Sequence, residues 1–346
     1  MDKNYCAEWF PYDLRFKFEA RTSRGVMHTK RTYFIRLWDA DNPKRYSIGE
    51  CAIFHGLSRE DDAGYETRLD EACLDPVKAL TSQDSSIRCG FEMAFNNLRG
   101  IYRHSVWREG FYGIPINGLV WMGDKALMLK RINDKIGQGF RCVKLKIGGI
   151  DFEDELELIR YIRKMFTPDT LELRLDANGA FNARNVLKRL DALAPYSIHS
   201  IEQPVAAGQY DLMADVCRQS PIPIALDEEL IGVTTEDFKQ QLLDHVKCSY
   251  IILKPSLCGG FKEADMWIAT ARERGIGWWA TSALESNIGL RCIAEWVDKY
   301  RPTMTQGLGT GELYENNIGS PLTQQRGSLY AVPPGPIPDF SWHNKQ

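Results

Sequence analysis

Five short runs between Arg141 and Ser256 limit what this chain can become: RCVKLKIG (141–148), LELRLDAN (171–178), IHSIEQP (198–204), PIALDEE (223–229) and YIILKPS (250–256). Each reads as a strand, a polar turn and the start of a helix. Alternate side chains of a strand share a face. Val143, Leu145 and Ile147 therefore point one way and Lys144 and Lys146 the other, while Leu171, Leu173, Leu175 and Ala177 oppose Arg174, Asp176 and Asn178. Glu202, Asp227 and Lys254 likewise end their strands. Five consecutive units thus deliver charge to one end of one parallel sheet. Three carboxylates and three ammonium groups in one pocket are costly unless they are paired or hold a metal.

Strand and helix alternate on both sides of this stretch. Helical patterns cover Asp124–Ile136, Asp151–Phe166, Ala183–Ala194, Tyr210–Arg218, Thr235–His245, Phe261–Arg274 and Asn287–Lys299. IPINGLV (114–120) opens the series, and GIGWWATSALES (275–286) and TMTQGLGTG (303–311) close it. Repeated βα units imply a parallel sheet with helices outside. The predicted fold is α/β: a modified (β/α)8-type TIM barrel, (β/α)7β, lacking its last helix and shorter than the usual ~250 residues. Residues 1–58 alternate as antiparallel strands, turning at Asp41-Asn42-Pro43. Residues 58–110 are helical, with Thr67–Ala72, Asp75–Leu80 and Ser86–His104. The chain therefore divides into an α+β capping domain (1–110), a barrel (111–311) and a turn-rich segment (312–346) that returns to the cap. Arg21 to Lys30, basic and carrying Ser23, Gly25 and Met27, reads as a mobile loop able to cover a site.

Composition narrows the function classes. A net charge of -3 with 26% charged residues points to neither nucleic acid nor an acidic membrane face. No apolar run reaches the length of a bilayer span, and the start lacks the apolar core of a secretory signal. Nine cysteines without CxxC or ligand spacing read as reduced thiols, Cys142 and Cys248 in the core. The expectation is a cytoplasmic enzyme acting on a small molecule, with homo-oligomerisation left open.

Asp176, Glu202 and Asp227 are hard oxygen ligands one βα unit apart. Single strand-end carboxylates commonly cap the next helix; three in register favour Mg2+, with Mn2+ as a substitute, over zinc. Lys144, Lys146 and Lys254 flank them. A nearby cation and neighbouring ammonium groups should lower a lysine's pKa towards neutrality and suit it to act as a base. A Schiff-base lysine is the rival role, and it needs no carboxylate triad.

KLKIG, LRLDAN, IEQP, LDEEL and ILKPSLCGG together resemble the enolase superfamily, in its muconate-lactonizing-enzyme subgroup. The resemblance covers nearly the whole chain. It implies Asp176, Glu202 and Asp227 as metal ligands, with Lys146 and Lys254 on opposite sides of the substrate. Thr281 to Ser286 stand where another branch carries a histidine. TSALESNIGL (281–290) and QGLGTGELYENNIGSPL (306–322) resemble those members that eliminate water from a succinylated cyclohexadiene carboxylate. Lys146 would then be the base, Lys254 the stabilising cation, and Lys144 a tuning group. Dipeptide epimerases of the subgroup carry an acidic pair where this chain reads Gly309-Thr310-Gly311, and small residues with exposed N–H groups suit a carboxylate tail.

The supporting set is Asn178, fixing a metal ligand or the substrate carboxylate or else capping a turn; Thr281, Ser282 and Gly307 at the succinyl end; Phe54 or His55, closing over the ring from ECAIFHGL (50–57); and Glu228, either a partner of Lys254 or the start of the next helix. His55 could serve as a base or in packing. Of Trp278 and Trp279, one must lie outside the barrel beneath a helix. An N-acylamino-acid racemase, a lactonizing enzyme and a non-catalytic barrel are the alternatives, and fold alone does not separate them.

Overall fold

The computed structural model describes residues 4–22, 25–102, 104–319 and 321–331. The chain opens with three antiparallel strands, β1 (Tyr5–Thr22), β2 (Gly25–Asp39) and β3 (Asn42–Cys51), paired in that order. Within the stretch expected to be a loop, residues 21–22 and 25–30 are instead strand. After an irregularity between Arg15 and Ala20 the ladder resumes, running to Thr22↔Gly25, so the backbone groups there are paired within the sheet. Ser23 lies outside the described residues.

Helices α1 (Tyr65–Leu74), α2 (Pro76–Ala79) and α3 (Ser85–Arg99) follow. α3 packs on the sheet so closely that a Cβ on Gly90 would meet Cys51 Sγ at 2.4 Å. That contact requires glycine. Ile35, Leu37, Cys51, Leu69, Ile87, Phe91 and Phe95 form the core between these layers.

After β4 (Ile114–Pro115), β5 (Gly118–Val120) begins the repeat: α4 (Lys125–Gly137), β6 (Cys142–Lys146), α5 (Phe152–Met165), β7 (Glu172–Asp176), α6 (Val186–Leu193), β8 (Ser200–Glu202), α7 (Tyr210–Gln219), β9 (Ile224–Leu226), α8 (Glu236–Val246), β10 (Tyr250–Leu253), α9 (Gly260–Glu273), β11 (Gly277–Ala280) and α10 (Asn287–Asp298). β5 to β11 form one seven-stranded parallel sheet in chain order. The segment expected as the eighth strand joins the two edges by single bridges, Ile116↔Gln306 on one side and Thr281↔Gly307 on the other. This is the modified barrel that the periodicity predicts.

The C-terminal segment divides. Tyr314 bridges Phe16 of the cap and Glu315 N donates to Arg15 O. The hairpin of β12 (Leu322–Gln325) and β13 (Ser328–Ala331) pairs with β4 at the barrel entry instead. Residues 332–346 lie outside the described set.

Alternation along the barrel strands sorts their side chains. Val143, Leu145, Leu173, Leu175, Ile251 and Leu253 face the helices and form the main core. The opposite set fills the interior, where Trp279 packs with Ala225 and Ile252 and stacks beneath the Arg174 guanidinium at 4.3 Å. Trp278 lies outside against Trp296 and Tyr300, so the pair splits as expected. Among the described residues no helix is long and apolar enough to cross a membrane, and the nine cysteines are free.

Cap and barrel are also joined by Glu92 of α3, which accepts the N–H groups of Phe261 and Lys262 at the start of α9. Burial pushes its carboxyl up to about 7, against the opposing pull of those N–H groups and Arg88. The folded value exceeds the unfolded one near 4.5, so this contribution to stability is full below that value and is lost as pH rises through about 7. Wild type should therefore lose about 3 kcal/mol relative to Glu92→Gln across this range, read by urea denaturation at each pH. A stability difference independent of pH would contradict the assignment.

Candidate active site

The strand register brings the charged residues together. Lys146 pairs across the sheet with Asp176, and Asp176 with Glu202. Asp227 follows the end of β9 and Lys254 the end of β10. All five side chains therefore converge at the carboxyl end of the barrel, as the alternation implied.

Their hydrogen bonds form a lattice. Lys144 Nζ donates to Asp176 Oδ2 at 3.0 Å and Glu202 Oε2 at 2.8 Å. Lys146 Nζ donates to the same Asp176 oxygen at 3.0 Å and to Asn178 Oδ1 at 2.6 Å. Lys254 Nζ donates to Asp227 Oδ2. Asn178, in the left-handed region at φ 42°, turns its N–H back to Asp176 Oδ1 and its amide to Glu228 Oε1. Asparagine tolerates that backbone conformation better than most residues. Glu228 thus holds Asn178 by hydrogen bond, while the Lys254 charge reaches it through space.

Burial opposes the charge on Lys144 and Lys254, yet the facing carboxylates outweigh it and hold both above the ordinary lysine value. Lys144, Lys146 and Lys254 each donate to a carboxylate oxygen. Burial alone would raise Asp176, but Lys144, Lys146 and Lys254 hold it well below the carboxylate range. Glu202 goes the other way. Burial and the Asp176 charge push its carboxyl well up.

Whether this set suits a cation turns on Glu202. Among the described residues, its buried Oε1 has no hydrogen-bond partner, an expensive condition for a carboxylate oxygen. The donors are all hard oxygens, and the residues therefore fit a divalent ion. The described residues contain no ready-made group of three acidic, His or Cys ligands. Lys144 instead bridges Asp176 and Glu202, and Asp227 is drawn towards Lys254.

Beyond the lattice lies a chamber lined by Phe54, Leu57, Asn117, Leu119, Trp121 and the wall Thr281–Leu284 with Gly307, Gly309 and Thr310. Phe54, Thr281, Ser282 and Gly307 thus line the same chamber as Lys146 and Lys254. Two details differ. The Gly307 N–H is taken by Ala280 O at 2.7 Å, and Thr281 Oγ1 donates to Gly307 O at 2.8 Å, so neither of these donors points freely at a ligand. Gly311 packs towards Asn287 and Leu290, outside this wall. His55 is exposed and paired with Asp61, away from the chamber. Asn117, Leu119 and Trp121 were missed, because a short strand with no charge at its end carries no local signal of a site.

The family described as Enolase C-terminal domain-like matches residues 128–336. An o-succinylbenzoate synthase of Desulfotalea psychrophila is 42% identical over 92% of this chain and 96% of its own length. The chain belongs to the o-succinylbenzoate synthase family, within the enolase superfamily. The crystal structure of MenC from Desulfotalea psychrophila LSv54 superposes with a TM-score of 0.82 at 38% identity, covering 94% of this chain and 99% of that one. Muconate lactonizing enzyme from Pseudomonas fluorescens, complexed with muconolactone, shares the fold at 20% identity and a TM-score of 0.84, covering 98% of each chain. Membership of the o-succinylbenzoate synthase family makes this protein an enzyme, a lyase of the hydro-lyase class.

Gly307 gives this wall a direct test. A Cβ there would meet Thr281 Oγ1 at 2.4 Å and Thr281 Cβ at 2.6 Å, and a β-branched threonine has little room to yield. Gly307→Ala should cost about 1–3 kcal/mol in chemical denaturation. Unchanged stability would show that the wall is looser than described.

Proposed function

We propose that this protein converts 2-succinyl-6-hydroxy-2,4-cyclohexadiene-1-carboxylate into o-succinylbenzoate and water, in menaquinone (vitamin K2) biosynthesis in the cytoplasm. The observation that carries the reading is the pair Lys146 and Lys254. They enter one chamber from β6 and β10, across the three strands that end in Asp176, Glu202 and Asp227. Family membership supplies the reaction class.

Asp176, Glu202 and Asp227 would hold Mg2+, or Mn2+ in its place, whose charge offsets that developing on the substrate's ring carboxylate. Lys146 takes the proton from the carbon bearing that carboxylate. The electron pair left behind expels the adjacent hydroxyl, which departs as water with the proton Lys146 has just taken. Ring aromatisation makes this second step favourable. Lys254 remains an ammonium throughout and stabilises the negative charge from the other face. Lys144, beside Asp176 and Glu202, would tune Lys146 and meet an oxygen of the substrate carboxylate. Asn178 orients Lys146, and Glu228 orients Asn178.

Phe54 would cover the ring, and the wall of Thr281, Ser282 and Gly307 would accommodate the succinyl tail. An acidic pair to hold a substrate ammonium is missing at Gly309-Thr310-Gly311, which favours a carboxylate tail over a dipeptide.

With Mg2+ present, mixing enzyme and substrate should bleach the diene's ultraviolet absorbance, and EDTA should stop it. Lys146→Ala should lower kcat by about 10³-fold or more, whereas Lys144→Ala should keep measurable turnover. Near-wild-type turnover by Lys146→Ala would remove it as the base. Failure of the Mg2+-supplied wild type to bleach the diene would overturn the substrate.

A further inference from the structure

The cap reaches the chamber wall through a carboxylate that the reaction does not use. Glu50 lies on β3 between two close approaches to α3: a Cβ on Gly49 would meet Gly90 O at 1.9 Å, and one on Gly90 would meet Cys51 Sγ at 2.4 Å. Gly49 and Cys51 thus press against α3. By alternation Ile48 and Glu50 face the other way, towards the barrel. Ile48 shares a cluster there with Ile288 of α10, and Glu50 is fully buried.

A buried carboxylate is costly unless its oxygens are satisfied. Glu50 accepts one bond from the cap, from Thr32 Oγ1 at 2.9 Å. Three more come from the barrel: Ser286 N at 2.9 Å, Ser286 Oγ at 2.6 Å and Gly289 N at 2.9 Å. Both N–H groups lie at the first turn of α10, where the helix has no carbonyl to take them, and a negative charge suits that end of the helix dipole. Gly289 leaves room for this approach, since a Cβ there would stand 2.9 Å from Glu50 Oε2.

These bonds end a wall of the chamber. Thr281, Ser282, Ala283 and Leu284 line it, and Ser286 lies two residues on. Leu284 has φ 62°, a left-handed conformation that is unfavourable for leucine and persists only where its surroundings hold it. Ser282 Oγ accepts the Leu284 N–H at 3.0 Å, and Tyr314 OH donates to Leu284 O at 2.8 Å. Beyond Leu284, Glu285 accepts from Ser256 Oγ at 2.7 Å, and Glu50 holds Ser286. Leu284 also shares an apolar cluster with Leu14 and Phe16 of the cap. Apolar contact has no fixed direction, whereas the bonds from Glu50 set both distance and angle.

We propose that Glu50 is a positioning residue, whose hydrogen bonds to Ser286 and Gly289 carry the placement of the cap into the Thr281–Leu284 wall and so set how tightly the substrate's tail is held. The inference rests on the chamber being the active site. Glu50 stands behind the wall and not in the chamber, so its loss should fall on KM and leave kcat largely intact.

Glu50→Gln nearly keeps the side-chain shape but cannot accept on both sides. It should raise KM for the diene about tenfold, with kcat within about threefold of wild type. Ser286→Ala removes a donor from the barrel side of the same contact and should also raise KM, and the double variant should rise by less than the product of the two effects. Glu92→Gln is the control. Glu92 ties the cap to α9, which supplies no residue to this wall, so its KM should stay within about twofold of wild type. An unchanged KM in Glu50→Gln overturns the proposal. So does an equal rise in Glu92→Gln, which would trace the effect to cap docking in general, or a double variant whose effects simply multiply. If Glu50→Gln does not fold, Ser286→Ala decides against the same control: a rise confined to it supports the proposal, and no rise overturns it. Wild-type bleaching of the diene, measured in the same series, keeps the two claims apart. If wild type is active and Glu50→Gln matches it, the positioning role alone fails; if wild type is inactive, the functional reading fails and takes that role with it.

Discussion

The structure depends on opposite charges held close together at one buried end of a barrel. Asp176 is the hub, accepting from both Lys144 and Lys146, and Glu202 shares Lys144 with it. Buried ion pairs repay their desolvation only when geometry and additional hydrogen bonds are good. Here both come from the parallel sheet, which sets Lys146, Asp176 and Glu202 in direct register. The same register that builds the barrel therefore builds the site, and the strands cannot slip by one residue without turning every charge into the apolar layer beneath the helices.

One oxygen of this lattice is left over. Glu202 Oε1 has no hydrogen-bond partner among the described residues, and burial drives its carboxyl towards the neutral form. A divalent cation answers both conditions at once. It would also compete with Lys144 for Asp176 and Glu202, and with Lys254 for Asp227. The lysines thus serve as counter-charges for the carboxylates and, in the proposed reaction, as the groups that handle the proton and the developing charge.

Much of this was legible in the chain because strand alternation is a local signal. Lys144, Lys146, Asp176, Glu202, Asp227 and Lys254 could be assigned to one mouth from period two alone, and the helices followed within a few residues of their expected ends. Three kinds of feature were not legible. Which carboxylate each lysine meets depends on how neighbouring strands align, and spacing along one strand does not contain that. The hairpin tip near Gly25 reads as polar loop because its pairing partner, not its composition, makes it a strand. The contacts of Glu50 with Ser286 and Gly289 join positions more than two hundred apart, where no periodicity carries information. Asn117, Leu119 and Trp121 entered the chamber for the same reason: closure of the barrel, not local pattern, placed them there.

The central claim is that a cation takes its place among Asp176, Glu202 and Asp227, between Lys146 and Lys254. Anomalous diffraction from crystals grown with Mn2+ and o-succinylbenzoate would test it most directly. The account predicts one strong peak bound by an oxygen of each of the three carboxylates, with Lys144 and Lys254 no longer holding those oxygens and the two lysines Lys146 and Lys254 on opposite faces of the ring. A peak elsewhere, or product bound with the lysine–carboxylate lattice intact and no metal within it, would contradict the account.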